Sequence, residues 1–140
     1  MKFGLRGPSF AISSACASAA HAIGEAYWMI KSGRCRAAVT GGAEAPLTYG
    51  GLVAWQGIRV MSNDACRPFS ANRSGMILGE GAGTLVLERL EDAKARGATI
   101  YGEIAAVGIS SDAGDIVDPS ADGAGLAIKR CLQELSLIHI

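Results

Sequence analysis

The most regular pattern of apolar positions lies between residues 16 and 32, where apolar side chains recur every three or four residues. Such spacing places side chains on one face of an α-helix. The opposite face is hardly polar either, since it carries Tyr27 and Trp28. A helix that is apolar nearly all round is typical of a protein interior. Gly33 follows at the position of a C-cap glycine and predicts the helix end.

Shorter patterns predict that strands and helices alternate along the rest of the chain. Runs of β-type composition predict strands over residues 9–14, 36–40, 84–89 and 101–110. Apolar spacing predicts further helices over residues 48–60 and 90–96, and another that begins at Ala121 or Asp122. Residues 62–75 and 110–122 are polar and predict loops. This alternation indicates the α/β fold class.

The composition fits one modest domain with a buried core. The chain has 140 residues, of which 49% are hydrophobic and 19% charged. Its 13 basic residues are balanced by 13 acidic ones, which gives no sign of a nucleic-acid or charged membrane partner. No apolar run is long enough to cross a membrane, and no continuous apolar region follows Lys2 and Arg6 to predict a secretory signal.

The four cysteines bear on metal binding and on location. Cys16, Cys35, Cys66 and Cys131 lie far apart, with no C-x-x-C pair and no His/Cys metal spacing. A zinc site is therefore not predicted. Scattered cysteines without a disulfide framework predict a reducing, cytoplasmic location.

Cys16 lies where a predicted strand meets the first predicted helix. The free N–H groups and the positive dipole end of that helix favour an anionic sulfur, which is the nucleophilic form. The small neighbours Ala15 and Ala17 leave room for a substrate carbonyl. A free cysteine is more often a small buried apolar residue. The position alone therefore leaves open a structural role and a nucleophilic one.

The residues around Cys16 follow a recognisable pattern. Gly7 is followed by Ile12, by the segment Ala-Cys-Ala-Ser-Ala at residues 15–19, and by Ile23. This pattern resembles the active-site segment of the β-ketoacyl synthases, the condensing enzymes of fatty acid and polyketide synthesis. The resemblance continues in one order to about Glu134, through segments at residues 41–44, 67–69, 75–83, 85–88 and 110–113. Residues 16–62 are most similar to the free-standing elongating synthases that use acyl carrier protein.

The resemblance implies a thiolase-like fold built from two similar halves in αβαβα layers, of which this chain would hold only the middle portion. Residues 1–99 would be the later part of the N-terminal half and residues 100–134 the start of the C-terminal half. Members of the family are considerably longer, so we expect missing parts at both ends. Residues 135–140 fit the family poorly and match a common sequencing-adapter end, so we expect them to be an assembly artefact.

The resemblance also implies a reaction, that of a 3-oxoacyl-[acyl-carrier-protein] synthase. Cys16 would take an acyl chain from acyl carrier protein as a thioester, and its own N–H would be one oxyanion donor. Malonyl-carrier protein would then lose CO2, and its carbanion would attack the thioester. Acyl carrier protein is the implied partner and a homodimer the implied assembly. The substrates would arrive on phosphopantetheine arms, and no metal or redox cofactor is implied. The family's catalytic histidines and lysine come from later motifs that lie outside this chain, so the fragment alone is expected to be inactive.

Four further residues are candidates for substrate binding. Trp55 lies where relatives place an aromatic residue that lines the acyl pocket, and Thr48 and Leu52 are nearby candidates. Val117 lies in a loop that resembles the one beside the phosphopantetheine tunnel, where many relatives carry hydroxyl residues. Trp55 also has a structural interpretation, as a core residue of an amphipathic helix.

Other polar residues have structural interpretations that we favour or leave open. His21 is five residues after Cys16 on the same helix, so its side chain points away from the direction of the sulfur. A supporting role is therefore favoured over that of a base. Arg59 and Arg67 could face acidic groups of a carrier protein or form structural salt bridges. Residues 79–83 lack the Gly-Lys-Ser/Thr ending of a phosphate-binding loop, so they predict a tight turn.

Three alternatives remain open from the sequence. The intact protein could serve a polyketide or nodulation-factor pathway rather than fatty acid synthesis. It could be a non-catalytic chain-length partner subunit or an inert fragment, although such partners usually lack the nucleophile that Cys16 would supply. It could also be a cysteine hydrolase of a different fold, which would need a nearby base that the sequence does not show.

Overall fold

The structure is a computed structural model that describes residues 3–115 and 118–136. Its elements, in chain order, are α1 (Ser18–Lys31), β1 (Ala37–Glu44), α2 (Tyr49–Gly57), β2 (Gly81–Glu88), α3 (Leu90–Ala95) and α4 (Ala121–Glu134). The strands β1 and β2 pair in a two-stranded sheet. The mixed α/β class predicted from the sequence is confirmed.

The ends of the helices follow local hydrogen-bonding rules. α1 ends at Lys31 with Ser32 as its C-cap, and Gly33 follows with a left-handed φ of 74°. α2 begins after Thr48, whose Oγ1 accepts a hydrogen bond from the Gly51 N–H at 3.1 Å. α4 begins after Ser120 in the same way. The predicted helices are therefore present, with ends that differ by up to three residues.

Two predicted strands are absent from the described residues. Residues 9–14 and 101–110 belong to no β-strand, and the prediction for them was wrong. In residues 105–109, helix side chains take the place of a strand partner: Tyr27 donates to the Ala105 carbonyl (3.0 Å), Arg130 donates to the Ile109 carbonyl (2.6 Å), and the Val107 N–H donates to Glu134 (2.9 Å). Backbone groups that side chains satisfy do not need a ladder.

The chain divides into two compact units. The first unit is Met1–Thr40 with Leu85–Ile140, and the second is Gly41–Thr84. In the first unit, residues 105–109 pack closely on α1 and α4. A Cβ at Gly24 would lie 2.9 Å from Val107 Cγ1, and a Cβ at Gly108 would lie 2.6 Å from the Cys131 backbone nitrogen. Glycine permits both close approaches.

Few apolar side chains are buried in the described part of the chain. Ala26 and Ile30 of α1 and Ala93 of α3 are the buried hydrophobic residues there, and no large side chain is fully buried. Phe69 is fully exposed, and Tyr101 is 98% exposed. Large exposed apolar surfaces favour association with other protein surfaces. Exposed apolar side chains also lie on helices, among them Val53 of α2 and Ile128 of α4.

The helices in the described part of the chain are shorter than a membrane-spanning helix. The two longest, α1 and α4, have 14 residues each. No helix in the described ranges is both long and apolar enough to cross a membrane.

Candidate functional site

Cys16 is exposed and lies two residues before the first residue of α1. The helix begins at Ser18, with Ala17 as its N-cap, rather than at Cys16 as the apolar spacing predicted. No side chain caps this end, and the first turn carries no acidic residue. The N–H groups of a first helical turn lack intrahelical partners and give the end a partial positive charge. The sulfur therefore sits beside an uncapped, electropositive helix end.

A tight reversal of the backbone places Cys16 at this point. Ala15 adopts a left-handed φ of 52°, which residues with a Cβ rarely adopt. The Ala17 N–H donates to the Ser14 carbonyl at 3.2 Å, and the Ser18 N–H donates to the Ala15 carbonyl at 3.1 Å. These bonds close two overlapping turns, residues 14–17 and 15–18, and Cys16 is a central residue of both. The segment turns sharply out of residues 9–14 and directly into α1.

Three side chains reinforce this reversal. Ser18 Oγ accepts from the Ser14 N–H at 2.8 Å and donates to the Ala15 carbonyl at 2.7 Å. Ser14 Oγ lies 2.7 Å from His21 Nδ1. We call these three residues the Ser14–Ser18–His21 network. The contact between His21 Nδ1 and the Ser14 hydroxyl agrees with a supporting role for His21, which is the interpretation favoured from the sequence.

The roles of Ser14 and Ser18 in this network were not predicted from the sequence. A partial signal was present, because a hydroxyl residue followed four positions later by another, at the start of a helix, is typical of local side-chain to backbone bonding. The left-handed conformation of Ala15, on which the geometry depends, has no signal in a residue other than glycine, asparagine or aspartate.

The predicted acyl-pocket residues lie on α2, in the second unit, whereas Cys16 lies in the first. Leu52 and Trp55 are both half-buried and, three positions apart, share one face of the helix. Thr48 is the N-cap of α2, which gives it a structural role. Val117 lies outside the described residues. The substrate-binding role of these four residues stays a prediction.

Arg67 forms an ion pair within the loop that follows α2. Its two terminal nitrogens lie 2.9 and 3.3 Å from the carboxylate oxygens of Asp64. Ser62, which is buried, donates to the same carboxylate at 2.8 Å. The Arg67 guanidinium, followed by the Ser62 hydroxyl, lowers the pKa of Asp64 to about 2. Of the two interpretations of Arg67, the structural salt bridge is the one observed.

A second ionic cluster lies at the far end of α1. Lys31 Nζ lies 2.6 Å from Glu134 Oε1, and this ammonium, followed by the Val107 N–H, holds the pKa of the Glu134 carboxyl below its usual range. A cleft of about 350 Å³ opens beside this cluster, lined in part by Trp28 and Arg34. Because α1 is on the order of 20 Å long, the cleft is remote from Cys16. It has no part in a reaction at the sulfur.

The described residues also bear on metal binding. Within residues 3–115 and 118–136, no group of three or more His, Cys, Asp or Glu side chains is placed to hold a metal ion. Cys16 itself is an accessible thiol residue next to a helix N-terminus, which suits a nucleophile that forms a covalent intermediate.

Comparison with known families removes one of the open alternatives. The sequence profile of the family described as "Beta-ketoacyl synthase, N-terminal domain" matches residues 1–93. The chain belongs to the β-ketoacyl synthase family. The family named from the residues around Cys16 is thereby confirmed, and a cysteine hydrolase of a different fold is excluded.

Individual β-ketoacyl synthase relatives match nearly the whole chain. It is 52% identical over 134 residues to nodulation protein E of Rhizobium leguminosarum bv. trifolii. The match covers 96% of this chain and 33% of that protein. It is 45% identical over 127 residues to 3-oxoacyl-[acyl-carrier-protein] synthase 2 of Staphylococcus aureus. The match covers 87% of this chain and 32% of that protein. The chain spans about a third of the length of these curated relatives.

A solved β-ketoacyl synthase structure supports the same conclusion. The structure is described as a type II polyketide synthase acyl-carrier protein in complex with its ketosynthase bound to the hexaketide. It matches with a TM-score of 0.92 and 31% sequence identity, over 99% of this chain and 36% of that one. The mixed α/β structure thus corresponds to about a third of a ketosynthase, in its N-terminal domain region.

Proposed function

We propose that the whole protein is a 3-oxoacyl-[acyl-carrier-protein] synthase, an acyltransferase in which Cys16 carries the acyl chain as a thioester. The observation that carries this proposal is the exposed Cys16 sulfur beside the uncapped N-terminus of α1, in a chain of this family. An exposed sulfur is accessible to an incoming thioester. The uncapped first turn of α1 places partial positive charge next to the attacking residue.

The reaction has two bond-forming steps. The Cys16 sulfur attacks the thioester carbonyl of an acyl carrier protein, a new thioester forms, and the phosphopantetheine thiol leaves. Malonyl-carrier protein then loses CO2, and the resulting carbanion attacks the Cys16 thioester and releases the sulfur. The Cys16 N–H is proposed as one donor to the oxyanion of each tetrahedral intermediate. Splitting the transfer through a covalent intermediate lowers the barrier of each step.

The finer architecture belongs to the same proposal. We propose a thiolase-like αβαβα fold, with residues 1–99 in its first half and residues 100–134 at the start of its second. Trp55, Thr48 and Leu52 are proposed to line the acyl pocket, and Val117 the phosphopantetheine tunnel. The similarity to a ketosynthase solved with its acyl-carrier protein supports acyl carrier protein as the partner. A cytoplasmic homodimer completes the proposal, and the 140-residue chain by itself is expected to be inactive.

A second candidate is a synthase of the kind named nodulation protein E. The observation in its favour is that such a protein is 52% identical over 96% of this chain, against 45% identity over 87% for the 3-oxoacyl synthase of Staphylococcus aureus. The test is complementation of a rhizobial strain that lacks nodulation protein E. Restored nodulation by the full-length gene would favour this candidate, and restored growth of a fatty-acid synthase mutant alone would contradict it.

The test of the synthase proposal is mass spectrometry of the full-length protein after incubation with acyl-loaded carrier protein. An acyl adduct is expected on the peptide that carries Cys16, and Cys16→Ala should abolish both the adduct and elongation. Cys66→Ala is the matched control, because Cys66 is also exposed but lies in the loop after α2. Undiminished elongation by Cys16→Ala would rule the proposal out.

A further inference from the structure

We propose that Ser18 and His21 are positioning residues, which hold the backbone around Cys16 in the geometry that its reaction needs. This inference rests on the proposed function of Cys16 as the acyl carrier of the enzyme. Neither side chain is assigned any contact with substrate. Ser18 acts through the backbone of Ser14 and Ala15, the two residues directly before the nucleophile. His21 acts through the side chain of Ser14.

Ser18 makes the more direct contacts. Its hydroxyl accepts from the Ser14 N–H at 2.8 Å and donates to the Ala15 carbonyl at 2.7 Å. A hydroxyl has one proton and two lone pairs, so it can make both bonds at once. The first residue of α1 is thereby tied to both residues that precede Cys16. If the hydroxyl were lost, the Ser14 N–H would lose the acceptor that it has in this structure.

His21 reaches the Ser14 side chain from one turn further along α1. Ser18 and His21 are three positions apart on α1, so their side chains lie on one face of the helix. Side chains on a helix lean towards its N-terminus, which is the end where Cys16 lies. His21 Nδ1 is 2.7 Å from Ser14 Oγ, and both side chains are partly buried. The histidine thus fixes the side chain of the residue whose N–H Ser18 holds.

The backbone conformation of Ala15 explains why such support is needed. Its φ of 52° is unfavourable for a residue with a Cβ. Backbone in such a conformation persists only where the surrounding contacts impose it. The Ser14–Ser18–His21 network bonds to Ala15 itself and to the residue before it. Without these bonds Ala15 can relax towards ordinary φ values, and Cys16, the next residue, moves with it.

The experiment compares removal and rescue variants in the full-length synthase. Ser18→Ala and His21→Leu remove the hydrogen-bonding atoms, whereas Ser18→Thr and His21→Asn keep one in a similar place. Ser13→Ala is the matched control, because Ser13 is exposed and no described residue bonds to its hydroxyl. Two rates are measured for each variant: single-turnover acylation of Cys16 from acyl carrier protein, and alkylation of Cys16 by iodoacetamide, followed by peptide mapping.

We expect both removal variants to acylate about tenfold more slowly than the wild type with little change in KM for the carrier, because misplacing a reacting group by about 1 Å can cost about 100-fold in rate. Cys16 alkylation should slow in the same two variants. Ser18→Thr and His21→Asn should recover most of each rate, and Ser13→Ala should match the wild type. Rescue by the conservative variants separates positioning from a general loss of stability, which circular dichroism would reveal.

Wild-type rates in folded Ser18→Ala and His21→Leu would overturn the inference, and so would losses that Thr and Asn fail to rescue. If Ser18→Ala does not fold, the His21→Leu and His21→Asn pair decides. Failure of the proposed function has a different signature, namely that the wild type accepts no acyl group on Cys16. The alkylation rates need no carrier substrate, so they still decide the positioning inference in that case.

Discussion

Ser14 and His21 lie seven positions apart, yet Ser14 Oγ and His21 Nδ1 are separated by 2.7 Å. The contact places the imidazole against the residues that precede the nucleophile rather than against its sulfur. Among the described residues, no titratable side chain is hydrogen-bonded to Cys16. In the reaction that we propose, Cys16 is the nucleophile and His21 is not its base, because His21 Nδ1 is hydrogen-bonded to Ser14 instead.

Cys16 and Cys66 allow the effect of position to be separated from that of exposure, since both are exposed. Cys16 lies beside the uncapped end of α1, whereas Cys66 lies in a loop. We expect iodoacetamide at neutral pH to label Cys16 about tenfold faster than Cys66, because helix N-termini favour the reactive thiolate. Competitive labelling of the full-length protein, followed by peptide mapping, measures both rates. Equal rates would mean that the helix end does not activate the sulfur.

The secondary structure was predictable where it depends on local sequence. Apolar spacing located all four helices, and Gly33 marked the end of α1, because both signals come from the residues themselves. Residues 101–110 were assigned as a strand from their β-type composition. A strand also needs a partner, and here Tyr27, Arg130 and Glu134 bond to the backbone instead. Such distant contacts leave no trace in the composition of the segment.

The candidate site was predictable to a similar extent. Cys16 was predicted as the nucleophile because its neighbours in sequence carry a family pattern, and that role stays a prediction. The network that holds it was not found, since its hydrogen bonds depend on the left-handed conformation of Ala15. Alanine gives no indication of that conformation, and only the folded backbone brings Ser18 Oγ onto the Ala15 carbonyl.

Thr48 has a measurable structural role that is separate from its proposed role in the acyl pocket. Its Oγ1 caps α2 by accepting from the Gly51 N–H. Thr48→Ala should lower the free energy of unfolding by about 1 kcal/mol, the usual cost of losing an N-cap. Thr48→Ser should retain most of the stability. Urea unfolding measures the difference, and equal stability of the Ala and Ser variants would contradict the capping role.

Trp55 is expected to limit the length of the acyl chain if it lines the pocket. Trp55→Ala should then shift the products of the full-length enzyme to longer chains, because the smaller side chain leaves room for further methylene groups. Gln56→Ala is the matched control, since Gln56 is an exposed neighbour on the same helix. Mass spectrometry of the carrier-bound products measures the shift. A loss of stability with unchanged products would instead indicate a purely structural Trp55.

The lowered pKa of Asp64, in the loop after α2, predicts how the stability of the protein changes at acidic pH. The pKa of its carboxyl is lowered from 3.8 to about 2, chiefly by the Arg67 guanidinium. A carboxyl whose pKa is lowered by folding stabilises the protein at pH values above its unfolded-state pKa. This stabilisation is lost as the pH falls through the folded-state pKa. The advantage of the wild type over Asp64→Asn should therefore shrink as the pH falls below 3.8 and disappear near 2. Thermal unfolding across this range measures it.

The same ion pair can be tested directly by NMR titration of the Asp64 carboxyl. Arg67→Gln should return the pKa of this carboxyl towards its ordinary value. Arg73→Gln is the matched control, because Arg73 lies in the same loop and bonds to the Ser70 carbonyl instead. An Asp64 pKa that stays low in Arg67→Gln would show that Arg67 is not the cause.

Two glycines of α4 should respond oppositely to the same substitution. Gly125 is exposed, and a Cβ there would meet no other atom within 4 Å, so Gly125→Ala should stabilise the protein by about 0.5–1 kcal/mol through helix propensity. Gly123 is buried, and a Cβ there would lie 2.7 Å from Asp112 Cγ.

Asp112 cannot move away freely, because its Oδ2 accepts from the Ser120 N–H at 2.7 Å at the start of α4. Gly123→Ala should therefore destabilise the protein by about 1–3 kcal/mol, the usual cost of overpacking. Chemical unfolding of the two variants side by side gives the comparison. Because both gain the same propensity term, any difference between them reports the contact with Asp112, and equal stabilities would mean that Asp112 does not hold the start of α4.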